Sequence, residues 1–444
     1  MMLLQLYLLK RIGIALLIIG FSLQTCVPIN QSSSAPRIQK KLVNDDEIYE
    51  PNIRTVQLYK SVRRLEDEVQ AAVVSINDES PLILEFDELY AEIKDYRAYI
   101  IHCNADWTKS DYIHLDFLNG FNEFPIREYE FSINTRTEYV HYLMTLPRVK
   151  LSGNYLLVVY RGTNTDDIIL SRRFMVYRGL IDINAEIKLS SGVLERRQNH
   201  QLDFSIDYSG VKIDNPLEEI KVILKQNQRW DNAITKLKPT MLKESRNIIE
   251  YFHWNLENNF KAGNEFRFFD LRIVNATGQN VARIDKTPED LEAFLVEEKF
   301  RNHEAYGQYL DINGKYVINN LETGQTNGDF DADYVTVNFF LRPIEGFNED
   351  IYVFGALTDW KTGEKNKMKF DTTRKLYTTQ LFLKQGWYNY IFLIKNSSYD
   401  SHYIEGLHFE TENQYEILVY YRPLISKGDQ LIGYSSIIHN KRNR

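Results

Sequence analysis

The clearest indication of the fold class is Tyr96-Arg97-Ala98-Tyr99-Ile100-Ile101-His102-Cys103, a short run rich in aromatic and aliphatic side chains. Such residues favour the pleated, half-buried surface of a β-strand. Comparable runs recur along the chain and are separated by turn signals such as Asn119-Gly120. The 444 residues include 29 Tyr and 24 Phe, so the same preference extends through the whole sequence. We therefore predict an all-β protein.

The alternation of apolar and polar residues divides the chain into three strand-rich segments. Around the opening run, strands are predicted at residues 82–86, 96–103, 128–133, 139–146, 153–160 and 168–177. About seven strands within some 130 residues are typical of one β-sandwich. Strands in the second segment are predicted at residues 185–189, 201–208, 220–226, 248–254, 265–273 and 280–284. Those in the third are predicted at residues 335–341, 350–355, 376–383, 388–394 and 415–421.

These segments predict three consecutive immunoglobulin-like β-sandwich domains after a signal peptide. The predicted limits are 50–178 for the first sandwich, 179–321 for the second, 322–333 for a polar Gly-rich linker and 334–425 for the third. Residues 426–444 lose the alternation and are predicted to form a loose tail. One helix is predicted over 288–299, because Thr287 can cap a helix that has Pro288 at its first position.

Residues 1–25 are predicted to be a signal peptide, since Lys10 and Arg11 precede an apolar stretch too short for a comfortable membrane span. Residues 26–49 are predicted to be a flexible tether. Leu23-Gln24-Thr25-Cys26 resembles a bacterial lipobox, which makes Cys26 a candidate lipidation site. Thr25 departs from the usual small residue, so an ordinary signal peptide with a chance cysteine stays an open alternative. No later run is apolar for long enough to span a bilayer as a helix, so the mature chain is predicted to have no transmembrane span.

Composition and motifs argue against several classes of function. The net charge of −8 is unsuited to binding nucleic acid, which requires a basic field. The sequence contains no recognisable catalytic or nucleotide-binding motif, so we predict no enzyme activity and no cofactor. His102 and Cys103 are neighbours in a strand and point to opposite faces, so Cys103 is predicted to be a buried thiol. Asp329, Asp331 and Asp333 lack the Gly and Glu that an EF-hand requires, so a solvated acidic linker is the preferred interpretation and no metal site is predicted. A looser calcium site at this point stays an open alternative.

The third segment resembles the glycogen-binding type of carbohydrate-binding module. The resemblance rests on Gly355-Ala356-Leu357-Thr358-Asp359-Trp360 and on Gly386-Trp387-Tyr388-Asn389-Tyr390. It implies that Trp360, Trp387 and Tyr390 could stack on sugar rings. Because large aromatic residues are mostly core residues, packing of Trp360 and Tyr390 within the sandwich is the preferred interpretation.

The chain as a whole resembles the plug protein of the Bacteroidota type IX secretion system. The resemblance is carried by Tyr99-Ile100-Ile101-His102-Cys103-Asn104-Ala105-Asp106-Trp107, Leu118-Asn119-Gly120-Phe121-Asn122, Gln226-Asn227-Gln228-Arg229-Trp230-Asp231 and Tyr309-Leu310-Asp311-Ile312-Asn313-Gly314. It implies a periplasmic protein, associated with the outer membrane, that binds the giant outer-membrane β-barrel translocon and closes its periplasmic opening.

The resemblance does not identify the residues that contact the barrel. We predict an interface at the loop that carries Phe121 and Phe124, whose rings could equally be core residues. The alternative function is a glycan-binding outer-membrane lipoprotein. A hydrolase is disfavoured, because the sequence shows no convergent acid, base or nucleophile.

Overall fold

Strands form nearly every regular element of the protein, as the alternation predicts. The computed structural model describes residues 40–61, 67–288, 290–323 and 328–441. The predicted signal peptide and Cys26 lie outside the described residues. In the part of the chain that the structure describes, no helix has the length and apolar character needed to cross a membrane.

The first sandwich consists of two sheets, and their inner faces share one apolar core. One sheet has the order β1-β10-β9-β5-β6, with β3 parallel to β10, and the other has the order β2-β4-β8-β7. The strands are β1 Glu47–Ile48, β2 Ile53–Lys60, β3 Val73–Ser75, β4 Leu82–Leu89, β5 Tyr96–Cys103, β6 Phe124–Ile126, β7 Glu128–Phe131, β8 Tyr139–Thr145, β9 Gly153–Arg161 and β10 Ile168–Tyr177. A 3₁₀ turn at Asp67–Val69 and a one-turn helix, α1 His114–Phe117, complete this domain.

The remaining elements follow in chain order. They are β11 Asp182–Leu189, β12 Asn199–Asp207, α2 Pro216–Glu219, β13 Ile220–Gln226, β14 Met241–Lys243, a 3₁₀ turn Glu244–Arg246, β15 Ile248–Tyr251, β16 Asn259–Lys261, β17 Arg267–Asp270, β18 Val281–Lys286, β19 Leu291–Leu295, β20 Tyr316–Ile318, β21 Tyr334–Leu341, β22 Asp350–Phe354, a 3₁₀ turn Ala356–Thr358, β23 Lys369–Asp371, β24 Leu376–Lys384, β25 Gly386–Lys395, β26 Asn413–Tyr421 and β27 Gln430–His439.

The third sandwich is inserted into the second. The second sandwich packs the sheet β11-β12-β15-β14, with β16 beside β12, against the sheet β13-β26-β27. The third packs β17-β25-β20, with β22 beside β25, against β18-β19-β21-β24-β23. The predicted all-β class with sandwiches is confirmed, but the predicted limits between 179 and 425 do not separate the sheets. Alternation identifies a strand without identifying its partner, and β13 pairs along its whole length with β26, from Ile220 opposite Tyr421 to Gln226 opposite Tyr415.

Three further expectations are corrected by strand pairing. The predicted loose tail contains β27, which lies antiparallel to β26 and buries Leu431 and Ile432. The predicted helix over 288–299 is replaced by β19, which pairs with β18 and β21, so tertiary pairing overrides the weak helix signal. The predicted tether ends earlier than residue 49, because β1 pairs with β10.

The predicted linker is also more ordered than its polar sequence suggests. In its described part, Ala332 is fully buried in the core of the third sandwich. The main-chain N–H of Ile133, in the first sandwich, donates to the carbonyl oxygen of Phe330 at 2.8 Å. Residues 328–333 therefore pack against two domains.

Each sandwich contacts both of the others. The outer face of the β9 and β10 sheet packs on the sheet that contains β13, β26 and β27, through residues that include Val158, Met175, Ile223, Leu418 and Tyr420. A smaller cluster, Leu89, Tyr139, Tyr334 and Phe382, joins the first sandwich to the third. The guanidinium group of Arg229, in the second sandwich, lies over the ring of Trp360 in the third at 4.7 Å. Because every pair of sandwiches is in contact, the described residues from 42 to 441 form one compact unit.

Candidate functional site

The loop that joins β5 to β6 carries exposed apolar side chains. The buried residues Phe117 and Leu118 anchor this loop in the core of the first sandwich. The carboxylate of Asp116 accepts the main-chain N–H of Ile113 at 2.9 Å and closes the single turn of α1. With the turn held in this way, Ile113 and Leu115 face solvent.

The loop between β26 and β27 continues this surface from the opposite end of the chain. The main-chain N–H of Asp111 donates to the carbonyl oxygen of Lys427 at 2.9 Å. The ammonium group of Lys427 pairs with the carboxylate of Asp116 at 2.9 Å, and the hydroxyls of Tyr112 and Ser426 lie 3.1 Å apart. Residues more than 300 positions apart in sequence are thereby held side by side.

We call the exposed apolar residues of these two loops the apolar rim. The exposed fractions are 57% for Ile113, 57% for Leu115, 90% for Phe121, 92% for Leu424 and 99% for Ile425. Single exposed apolar residues are ordinary, whereas a group of them on neighbouring loops indicates an interaction surface. Sequence reasoning missed four of the five, because α1 is too short to show a period and because Leu424 and Ile425 lay at the end of the predicted third sandwich, where no interface was expected.

The predicted interface residues divide between surface and interior. Among the residues of the apolar rim that lie on the β5–β6 loop, Phe121 is the most exposed. Phe124 begins β6 and is half-buried against the core of the first sandwich. The structure therefore leaves Phe121 available for contact and assigns Phe124 mainly to packing.

The aromatic residues of the glycan alternative do not form a common platform. Tyr390 is only 2% exposed and lies in the core of the third sandwich, so it is withdrawn as a sugar-stacking residue. Trp387 lies on the opposite face of β25, with its ring 5.6 Å from that of Phe268. Trp360 is half-buried and packs against Phe266 and the neighbouring strand β22.

A buried polar cluster, which we call the polar junction, connects the first and third sandwiches. It consists of Asp87 on β4, His141 on β8, Tyr334 on β21 and Lys384 on β24. The carboxylate of Asp87 lies 2.7 Å from the Lys384 Nζ and 2.8 Å from the His141 Nδ1, and it accepts the Tyr334 hydroxyl at 2.7 Å. Burial alone would raise the pKa of Asp87, but Lys384 and His141 outweigh burial and hold that pKa below its usual value. Against the opposing effect of burial, Asp87 raises the pKa of His141.

His102 and Cys103 occupy different environments, as their adjacent positions in β5 require. Cys103 is fully buried where the first and second sandwiches meet, and burial raises its pKa to about 12. His102 points into the first sandwich, where its Nδ1 lies 2.9 Å from the Ser110 hydroxyl, and burial lowers its pKa to about 4. The prediction of a buried thiol is confirmed, and the two side chains do not combine into a catalytic pair.

The acidic run after residue 328 does not gather its carboxylates around one point. Asp331 accepts the hydroxyl of Thr323 at 2.5 Å, while Asp333 accepts the main-chain N–H of Arg136 at 3.0 Å. Asp329 instead lies near Glu85 and His141, and these three are the one group of metal-ligating side chains found within the described ranges. Burial and the nearby Asp329 raise the pKa of Glu85 to about 7.

Part of the chain matches a known protein family. Residues 53–178 match the family model described as the type 9 secretion system plug protein 1st domain. A crystal structure of a hypothetical protein from Parabacteroides merdae ATCC 43184, at 2.30 Å resolution, is similar to this chain with a TM-score of 0.83 and 29% identity. The match covers 90% of this chain and 100% of that one. No curated protein is significantly similar to the chain.

Proposed function

Since residues 53–178 belong to the family of type 9 secretion system plug protein first domains, we propose that this chain closes the periplasmic opening of that system's giant outer-membrane β-barrel translocon. The family supports a role in type IX secretion. The proposal adds the partner, the periplasmic location at the outer membrane and a non-enzymatic, blocking action.

The apolar rim is the observation that carries the proposal. Three of its residues, Ile113, Leu115 and Phe121, lie within the part of the chain that matches the family. A plug has to exclude water around its edge and still release, which suits a limited apolar surface surrounded by polar groups. The ion pair between Lys427 and Asp116 provides such polar groups beside the rim.

The contacts between each pair of the three sandwiches support the same function. A seal fails if its parts move independently, because gaps then open between them. Here the rim is built from loops of two sandwiches, and the Asp429 carboxylate accepts the main-chain N–H of Ala105 at 2.9 Å between those two loops. Contact with the barrel therefore costs little additional ordering of the rim.

The test is co-purification of the barrel with rim variants. We expect Leu424→Asp combined with Ile425→Asp to reduce recovery of the barrel at least tenfold, because the loss of a hot-spot contact costs about 2 kcal/mol or more and a tenfold change in affinity corresponds to about 1.4 kcal/mol. The matched control is Val193→Asp combined with Leu194→Asp, which are 89% and 84% exposed on a different loop. The same rim variant should make the outer membrane permeable to a large antibiotic that normally stays outside.

Recovery of the barrel at the control's level would contradict the assignment of the rim. Loss of recovery with the Val193 and Leu194 variant alone would locate the contact elsewhere on the chain. Unchanged cargo export and unchanged permeability after deletion of the whole gene would contradict the plug function itself.

A further inference from the structure

Three side chains that commonly bind metal ions converge at the edge of the polar junction. Glu85 and Asp87 lie on the same face of β4, because they are two residues apart, and His141 lies opposite Asp87 on β8. Asp329 lies in the loop that joins β20 to β21 within the third sandwich. One ligand atom from each of Glu85, His141 and Asp329 lies within 4.8 Å of the other two. Glu85 and His141 are only 6% and 7% exposed.

The imidazole ring of His141 provides the second, independent observation. Its Nδ1 is 2.8 Å from the Asp87 carboxylate. Its Nε2 is shielded from solvent and has no hydrogen-bond partner among the described residues. A buried polar nitrogen without a partner is costly, and the great majority of such groups in proteins are satisfied. The free nitrogen on a fixed ring therefore points to a ligand.

The surroundings of the ring match those of a metal-binding histidine. Such histidines almost always hydrogen-bond the second ring nitrogen to a carboxylate, a main-chain carbonyl or water, which fixes the ring and increases its basicity. Asp87 has this role here and is itself held by Lys384 and the Tyr334 hydroxyl. Glu85 is oriented in the same manner, since its Oε1 accepts the hydroxyl of Tyr59 at 2.8 Å.

We propose that Glu85, His141 through Nε2, and Asp329 bind one Zn²⁺ ion, which fastens the first sandwich to the loop between β20 and β21 of the third. Zinc accepts both imidazole nitrogen and carboxylate oxygen as ligands, whereas Ca²⁺ and Mg²⁺ prefer oxygen ligands alone. Zinc bonds of about 2.0–2.1 Å place tetrahedral ligands about 3.4 Å apart, so the ligand atoms, which lie within 4.8 Å of one another, draw together by at most about 1.4 Å on binding. The fourth position is available to water.

Lys384 holds the surroundings of the site in place, because its ammonium group pairs with the Asp87 carboxylate. The Lys384 Nζ also contacts the main-chain carbonyl of Asp329 at 2.5 Å, which places the loop beside the site. The inference is independent of the proposed function, because it concerns how two domains are joined.

The test uses the untagged mature protein after treatment with a chelator and dialysis. Titration with ZnCl₂, followed by calorimetry, should give one bound Zn²⁺ per chain and a higher melting temperature, while CaCl₂ and MgCl₂ should produce neither effect. Asp329→Asn and Glu85→Gln should each weaken binding at least tenfold. The matched control is Asp285→Asn, an exposed carboxylate on β18, which should leave the affinity unchanged.

Asp329→Asn keeps the inference testable if Glu85→Gln fails to fold, because Asp329 lies outside the sheets. X-ray absorption of the zinc complex should show one imidazole nitrogen among oxygen ligands, and the imidazole signal should disappear in His141→Ala. Absence of stoichiometric binding, or binding that Asp329→Asn leaves unchanged, would overturn the inference.

Discussion

Replacing Lys384 by methionine removes the positive charge from the polar junction between the first and third sandwiches. The side chains of Lys384 and Asp87 are each 1% exposed, and their charged atoms lie 2.7 Å apart. Methionine is similar in length and apolar, so the change leaves little empty volume. Its main effect is to leave the Asp87 carboxylate buried without its closest cation.

The cost follows from the burial of the pair. Removing one partner of a buried ion pair typically destabilises a protein by about 3–5 kcal/mol, because the other charge is left uncompensated. His141 and the Tyr334 hydroxyl still contact Asp87, so we expect a value near the lower limit, about 3 kcal/mol. The pair Arg342–Glu297 provides the matched control, because its side chains are 69% and 35% exposed. Arg342→Met should cost no more than about 1 kcal/mol.

The assay is urea denaturation of the protein, followed by fluorescence of its five tryptophans. Lys384→Met should lower the free energy of unfolding by about 3 kcal/mol, and Asp87→Asn in the same background should cost much less than it does alone. A loss equal to that of Arg342→Met would refute the reasoning. So would strictly additive effects of Lys384→Met and Asp87→Asn, because two residues that share a buried charge must be coupled.

Three other predictions follow from burial. The pKa of His102 is about 4 in the folded chain and close to 6.5 in the unfolded chain. The contribution of His102 to the free energy of unfolding is therefore fully present above pH 6.5 and is lost as the pH falls towards 4. Between pH 7 and pH 5, His102→Gln should therefore lose about 2 kcal/mol less stability than the parent, and equal losses would contradict the assignment. In a chain carrying Cys26→Ser, a thiol reagent should label Cys103 in urea but not in the folded protein; rapid labelling without denaturant would show that the interface between the first two sandwiches opens. Removal of residues 426–444 should leave the second sandwich unfolded by circular dichroism, because β27 buries Leu431 and Ile432; a truncated chain with an unchanged melting temperature would disprove this role.

The candidate site shows where sequence reasoning reached its limit. The exposure of Phe121 agrees with a loop carrying an Asn-Gly turn. The rest of the apolar rim depends on two loops that are joined by the main-chain hydrogen bond between Asp111 and Lys427, and no local pattern in either loop indicates the other. The polar junction was missed for the same reason, since Asp87 and Lys384 are 297 positions apart.

By itself, the sequence determined that this protein is built from strands. Alternation is a local property of side chains on a pleated backbone, so the predicted limits 96–103, 168–177 and 220–226 agree with β5, β10 and β13. Only the tertiary structure decided that β13 pairs with β26, that β27 follows it in the sheet, and that the third sandwich is inserted into the second. Pairing is a competition among all strands for main-chain hydrogen bonds and for burial of one face. Its outcome depends on contacts between distant residues, which the local pattern does not contain.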